Sequence, residues 1–350
     1  MIDISIIIPS YNRAGSLHQT MTSIASVVTP SDSVEIIIVD NGSVDDTASI
    51  CREIKHRFPK HNWRYFYDDT PGLLTGRHLG ARQAQGDILA FLDDDVRLAP
   101  SWLEALNDAF SDPEVMLTGG PSWPHYEVEP PSWLGGMWVE FEEGRVLGQL
   151  SLVDLGATRK DVNPLFVGGL NFSIRKTAFQ ACGGFHPDYL PKPLQRYQGD
   201  GETGLALKVK ARGLKALYHS GVWLKHVVPA SRLTPEHFEW RGFYQGICDS
   251  YANIRRNGCL PASTQSWKDL VRPIKWQLER KGLLRNPTAK AVRFLAARAR
   301  FAGSWFHENE VRKDPNLLEW VLKPDYLDYR LPDGWQKCVR RTQARSIKAP

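Results

Sequence analysis

The chain has 350 residues, 42% of them hydrophobic and 24% charged. That is the make-up of a globular protein with a full core and excludes a mainly disordered one; the length suits one large α/β domain, or one domain with an appendage. The net charge of +5 is uneven: from Val271 onward stand 18 Lys+Arg against 8 Asp+Glu, and the remainder holds 26 against 31. Such a basic end meets an anionic surface, or is a solvated helical appendage. The cysteines Cys51, Cys182, Cys248, Cys259 and Cys338 are odd in number and never spaced as CxxC, which argues against a disulfide framework and a zinc site. No apolar run reaches the ~18 residues of a membrane span. The first strand-like run begins at Ile4, leaving no room for a signal peptide, so the expected location is cytoplasmic, with any membrane contact peripheral at the inner face.

Residues 4–9 (ISIIIP), Val34–Asp40 (VEIIIVD), 63–67 and 88–93 (ILAFLD) are continuous apolar runs separated by helical stretches. They predict strands of a mostly parallel sheet covered by helices, a Rossmann-like α/β fold. Ser43 and Pro100-Ser101 are the expected helix starts. Between 116 and 193 the pattern loosens and Pro, Gly and Trp become dense. A strand-like LFVGGLNFSIRK follows within it, then a predicted helix over 203–212 and a strand over 215–222. Past Thr234 the chain reads as helical and basic. In open α/β sheets ligands bind beyond the carboxyl ends of strands, so the polar residues after each run are the ones to weigh.

The fourth run ends in Asp93-Asp94-Asp95. Adjacent carboxylates at a strand end repel one another unless a cation sits among them, and hard oxygen ligands favour Mg²⁺ or Mn²⁺. An acidic helix start is the bland alternative. The first strand ends in PSYNR and the second in DNGS. Neither a GxGxxG nor a GxxxxGK[ST] loop is present, which excludes the usual dinucleotide and P-loop sites.

IIIPSYNR, IIIVDNGSVDDT, GRHLGARQAQGDILAFLDDD, GGLNFSIRK and GDGETGLALKVKARG followed by WLKH stand in order over residues 3 to 250. Together they resemble the inverting glycosyltransferases of family 2, which have the GT-A fold. The resemblance implies a sugar moved from a nucleotide-diphosphate donor, most often UDP-linked, to a hydroxyl of a glycan or lipid-linked acceptor, as in polysaccharide or glycoconjugate synthesis. It implies Mn²⁺ or Mg²⁺ as cofactor. Pro9, Tyr11 and Arg13 would line the nucleotide pocket, Asp40 beside Gly42 would meet the base, and Arg77 would lie near the diphosphate. Asp93 would face the ribose and contribute to the metal with Asp95 and His226. Gly169 and Asn171 would bound the sugar pocket. His78 stands where the family often has Asn. An inverting transfer needs a general base for the acceptor hydroxyl; the resemblance places it at Glu202, with Asp200 second. The implied division is a catalytic domain over 1–233, with donor half 1–115 and acceptor half 116–233, and a helical basic region over 234–350.

Three features stay open. Trp123, Trp133 and Trp138 suit sugar rings or a core. The stretch KAVRFLAARARFAGSWF (290–306) can lay Val292, Leu295 and Phe306 on a lipid surface or against its own protein. A nucleotide-sugar-binding protein without catalysis is the alternative function, opposed by the intact DGE and DDD. No zinc finger, RRM or other recognition motif supports a nucleic-acid partner.

Overall fold

The computed structural model describes residues 2–30, 33–260, 273–328, 330–332 and 335. Cys338 and the basic end from 336 lie outside the described residues.

The apolar runs are strands. β1 (Ile4–Ser10), β2 (Val34–Asp40), β3 (Asn62–Tyr67) and β4 (Ile88–Leu92) alternate with α1 (Ala14–Val27), α2 (Thr47–Arg57) and α3 (Leu73–Gln83). β1 pairs in parallel with both β2 and β4, and β3 joins parallel to β2. Successive side chains of a strand point to opposite faces. Ile7, Ile37, Val39, Leu89 and Phe91 therefore enter one core. Ile6, Ile8, Ile36, Ile38, Ala90 and Leu92 enter the other. Helices cover both faces, which is why the runs carry no polar alternation.

Next come β5 (Val96–Leu98), α4 (Trp102–Ser111), β6 (Val115–Gly119) and β7 (Ser122–Tyr126). The loosely patterned middle forms short strands: β8 (Val139–Phe141), β9 (Gly144–Leu147), β10 (Leu152–Asp154) and β11 (Arg159–Asp161). β12 (Asn171–Arg175), α5 (Lys176–Ala181), α6 (Gly201–Ala211), β13 (Lys215–His219) and β14 (Leu224–Val228) follow. The main sheet runs β11-β13-β6-β12-β4-β1-β2-β3, and a second runs β5-β14-β7-β10-β9-β8. Two details place the site. β12 is antiparallel to β4 and β6, so its first residue, Asn171, sits opposite Leu92. β14 is antiparallel to β5 and sets His226 opposite Val96. Each brings a distant segment to the end of β4.

The chain closes with α7 (Pro235–Asn257), α8 (Pro273–Arg285), α9 (Ala289–Lys313) and α10 (Pro315–Leu322). Tyr251, Ile254, Val311, Leu317, Val321 and Tyr326 from this region pack in the same core as Phe91 and Phe172 of the main sheet. The helical region thus shares a core with residues before 233. α7 and α9 approach so closely that a Cβ on Gly246 would lie 1.8 Å from the Arg300 carbonyl oxygen, and one on Gly303 1.9 Å from that of Phe243.

Two expectations change. Ser43 does not cap α2, which begins at Thr47 after Asp46; the Ser43 hydroxyl instead accepts the Asn12 N–H at 2.9 Å. The strand expected over 215–222 stops at His219, because the Val222 N–H turns back to the His219 carbonyl at 3.0 Å. Of the stretch 290–306, left open above, Val292 and Leu295 are fully buried, and the Phe306 ring lies 5.7 Å from that of Phe243 on α7. No described helix is long and apolar enough to cross a membrane.

Candidate active site

The loops after β1 and β2 clasp each other. The Asn12 amide oxygen accepts the Val44 N–H at 2.8 Å, and Asp45 accepts the Ala14 N–H at 3.0 Å. Asn12 holds φ +52 and Gly42 φ +83, the left-handed turns that Asn and Gly tolerate best. Asp40, buried at the end of β2, accepts the Ser43 N–H at 2.8 Å and the Tyr65 hydroxyl at 2.7 Å. Tyr11, Tyr65 and Tyr67 are exposed around this loop pair. Pro9 is buried, and a Cβ on Gly76 of α3 would lie 2.7 Å from its own Cβ.

The three aspartates after β4 have separate partners. Asp94 takes the Ser10 hydroxyl at 2.6 Å and Arg13 at 3.2 Å, tying the end of β1. Burial and the neighbouring carboxylates push its pKa up. Asp95 sits between Arg13 at 2.8 Å, Arg232 at 3.2 Å and His226 Nε2 at 3.3 Å. Burial alone would raise the Asp95 carboxyl, but His226, Arg13 and Arg232 hold it well below the usual range. Its Oδ1 is buried without a partner. His226 Nδ1 lies 2.8 Å from the Leu150 carbonyl, and its Nε2 is met by Arg232 at 2.8 Å as well as by Asp95. The partnerless Asp95 oxygen fits a hard divalent ion, and for His226 Nε2 to join it Arg232 must give way. Among the described residues no three His, Cys, Asp or Glu side chains converge as a complete metal cage. A Mg²⁺-type ion needs only one or two protein groups when substrate phosphates supply the rest.

Asp93 turns the other way. Its Oδ1 lies 3.2 Å from Arg77, a residue only 2% exposed. Arg77 also donates to the Gly169 carbonyl at 3.0 Å and lies 3.7 Å from both Asp188 and Glu202. Its guanidinium lies 4.8 Å from the Phe185 ring centroid. Arg77, expected near a diphosphate, is thus enclosed by carboxylates and holds Asp93 and Glu202 to one centre. Gly169 makes room for the latter: a Cβ there would meet Glu202 Cδ at 2.7 Å. The Glu202 side chain is 37% exposed and that of Asp200 only 4%. Asp200 is bound to His186 at 2.6 Å, so of the two Glu202 alone is open to a substrate hydroxyl.

Asn171, expected at the sugar pocket, has both ends engaged in the core. Its oxygen accepts the Trp102 indole at 3.0 Å and its amide donates to the Val222 carbonyl at 2.7 Å. His78 is also structural: Nε2 accepts the Phe185 N–H at 2.9 Å and Nδ1 donates to the Tyr326 carbonyl at 2.8 Å. Trp133 packs in a core beneath α7. Trp123 stacks on Trp223 with centroids 5.1 Å apart, and Trp138 lies under Arg145. Sequence reasoning missed Arg232 and Asp188. Asp188 accepts the Leu74 N–H at 2.9 Å at the start of α3, and burial, Glu202 and Asp93 outweigh Arg77 to raise its pKa to about 7. The hint for Arg232 was its place as the first cation beyond the WLKH strand; nothing local marked Asp188.

An open, mostly parallel α/β sheet with cations and carboxylates gathered at its strand ends defines the class: an enzyme-type fold built to hold an anionic ligand. Residues 5–179 match the sequence model of glycosyl transferase family 2, and the chain belongs to that family. It is 29% identical over 206 residues to the validoxylamine A glucosyltransferase of Streptomyces hygroscopicus subsp. jinggangensis, covering 53% of this chain and 47% of that protein. It is 23% identical over 320 residues to the glucosyl-dolichyl phosphate glucuronosyltransferase of Haloferax volcanii, covering 84% and 91%. The chain thus spans about half the length of the first of these relatives. In structure it resembles a Pyrobaculum calidifontis mannosyltransferase in complex with GDP-Man and Mn²⁺, with TM-score 0.52, 17% identity and coverage of 92% and 85%. The fold is GT-A.

Proposed function

We propose that the chain transfers a sugar, with inversion, from a nucleoside-diphosphate donor, UDP-linked in the first instance, to a hydroxyl of a glycan or lipid-linked acceptor. Residues 1–115 hold the donor and 116–233 face the acceptor. One observation carries the reading: the Asp93–Asp95 run joins an anion-binding cluster to an open carboxylate. On one side Asp95 gathers His226, Arg13 and Arg232; on the other Asp93 reaches Glu202 through Arg77. The relatives' names, and the GDP-Man and Mn²⁺ of the mannosyltransferase, support the same chemistry.

Asp95 and His226, with Asp93 nearby, would hold Mn²⁺ or Mg²⁺, which when bound supplies positive charge to the diphosphate leaving group. Arg13 and Arg232 bring further positive charge to the same place. Tyr11 and the Asp40 loop flank the nucleotide. Glu202 takes the proton of the acceptor hydroxyl as that oxygen attacks the anomeric carbon opposite the diphosphate.

The test is a screen of UDP- and GDP-sugars with Mn²⁺ or Mg²⁺, read by thermal shift and by nucleotide release. A donor at ~100 times its Kd adds about 2.7 kcal/mol to stability, a clear rise in Tm. EDTA and Asp95→Ala should each remove that rise. Undiminished binding in EDTA would end the metal assignment, and no response to any donor would end the transferase reading.

A further inference from the structure

Asp188 is followed by Tyr189, which holds φ +47, a conformation that L side chains adopt only where the surroundings enforce it and that clusters at ligand sites. The enforcement is visible: the Tyr189 N–H bonds the Tyr244 hydroxyl, and the Tyr189 hydroxyl accepts from Arg241 at 2.8 Å. Its neighbour Asp188 ties it to the transfer site, lying 3.7 Å from Arg77, which lies 3.7 Å from Glu202. The Tyr189 side chain nevertheless remains 48% exposed.

Tyr189 is the inner end of a strip of rings. His237, Trp240, Arg241 and Tyr244 share one face of α7 at three- and four-residue spacing. The Tyr189 and Tyr244 centroids are 5.3 Å apart at 40°, Tyr244 and Trp240 5.5 Å at 39°, and Trp240 and His237 6.0 Å at 40°. Arg241 lies 5.7–6.0 Å from the Tyr189, Trp240 and Tyr244 rings, holding them as a unit. Trp240 is 45% exposed at the outer end. Beyond it a groove of about 450 Å³ opens between α7 and α9. Two exposed rings, Tyr189 and Trp240, held at a fixed tilt on the buried Tyr244 between them, offer apolar faces of the kind that pack on pyranose rings.

We propose that this strip is the acceptor-binding platform and that the acceptor is a carbohydrate of at least two sugar units. The reacting sugar lies over Tyr189 with its hydroxyl at Glu202, and the next unit stacks on Trp240. The inference deepens the transferase reading and rests on it.

An array of immobilised oligosaccharides of glucose, mannose, galactose, glucuronic acid and N-acetylglucosamine tests it with the full chain. The array is read with wild type, Trp240→Phe and Trp240→Leu, each first checked for an unchanged Tm. Wild type should bind a disaccharide or longer glycan, Trp240→Phe should stay within about threefold, and Trp240→Leu should bind roughly tenfold more weakly, the scale of one lost ring stack. With a glycan so found as acceptor, Trp240→Leu should raise its KM and leave kcat nearly alone, as lost uniform binding does. Equal binding by Leu and Phe variants overturns the platform, and so does the absence of any wild-type glycan signal. Donor hydrolysis by wild type, scored separately, reports on the transferase reading: its loss counts against that reading, whereas hydrolysis with an unresponsive array counts against the platform alone.

Discussion

Glu202 stands two residues after Asp200, the cap of α6, yet the two differ in surroundings. Asp200 is closed against His186, while Glu202 projects past Gly169 into the open. Glu202→Gln should keep donor binding by thermal shift and lower transfer by ~10²–10⁴-fold; near wild-type transfer would move the base elsewhere. Gly169→Ala is the steric counterpart, because its methyl would need the space of Glu202 Cδ. It should depress kcat and leave the donor-induced Tm rise intact, and a changed donor response with normal kcat would contradict this. The aspartates stood out in the sequence because they follow a strand whose apolar pattern they break, whereas Glu202 and His226, the latter in the middle of β14, were singled out through the family resemblance. Arg232, Asp188 and Tyr189 were not. They act through turns whose partners lie far away in sequence, as with Asp188 and Leu74, and through a positive φ that no composition rule gives to Tyr.

β1, β2 and β4 were readable as elements because burial on both faces leaves unbroken apolar runs, while the edge strand β3 showed itself by its aromatic residues alone. Orientation was not: β12 looks like its neighbours in sequence and yet runs against them. The short strands β8 to β11 were hidden for lack of length, three or four residues each, too few for an alternation to show. The α7–α9 contact offers a test at this scale. Replacing Gly by Ala inside an isolated helix adds about 1 kcal/mol. At Gly246 the new Cβ would lie 1.8 Å from the Arg300 carbonyl oxygen, so the sign should reverse, with overpacking costing about 1–3 kcal/mol. Chemical denaturation of Gly246→Ala decides it, and a stabilised variant would show that the helices can separate freely.

Across the described residues, burial lowers the pKa of four histidines, His78, His186, His237 and His307. Burial lowers His78 to about 3 and His307 to about 4 from an ordinary 6.5. The unfolded chain therefore binds protons that the folded chain refuses between pH 6.5 and about 4. Stability should be full above pH 6.5 and fall below it, by at most about 1.4 kcal/mol per pH unit for each group. Tm followed from pH 7.5 to 4.5 should show this, and His307→Gln should make the slope shallower; a slope unchanged by that substitution would remove His307 from the account. The shared core was invisible in sequence, where residue 233 looked like a natural boundary. Ring residues such as Tyr251 and Tyr326 read as helical appendage until their packing beside Phe91 is seen.

The sheet order also sets a timetable. β1 to β4 are complete by Leu92 and adjoin one another, and a chain made from its N-terminus can assemble them early. The groups that settle the charge of Asp95 from the other side, His226 and Arg232, emerge from the ribosome more than a hundred residues later, and α7 with its rings later still. A nascent chain therefore holds its three crowded carboxylates against Arg13 and Arg77 through much of its synthesis, and the second side of the Asp95 cluster closes only when the last strand of the sheet region has been made.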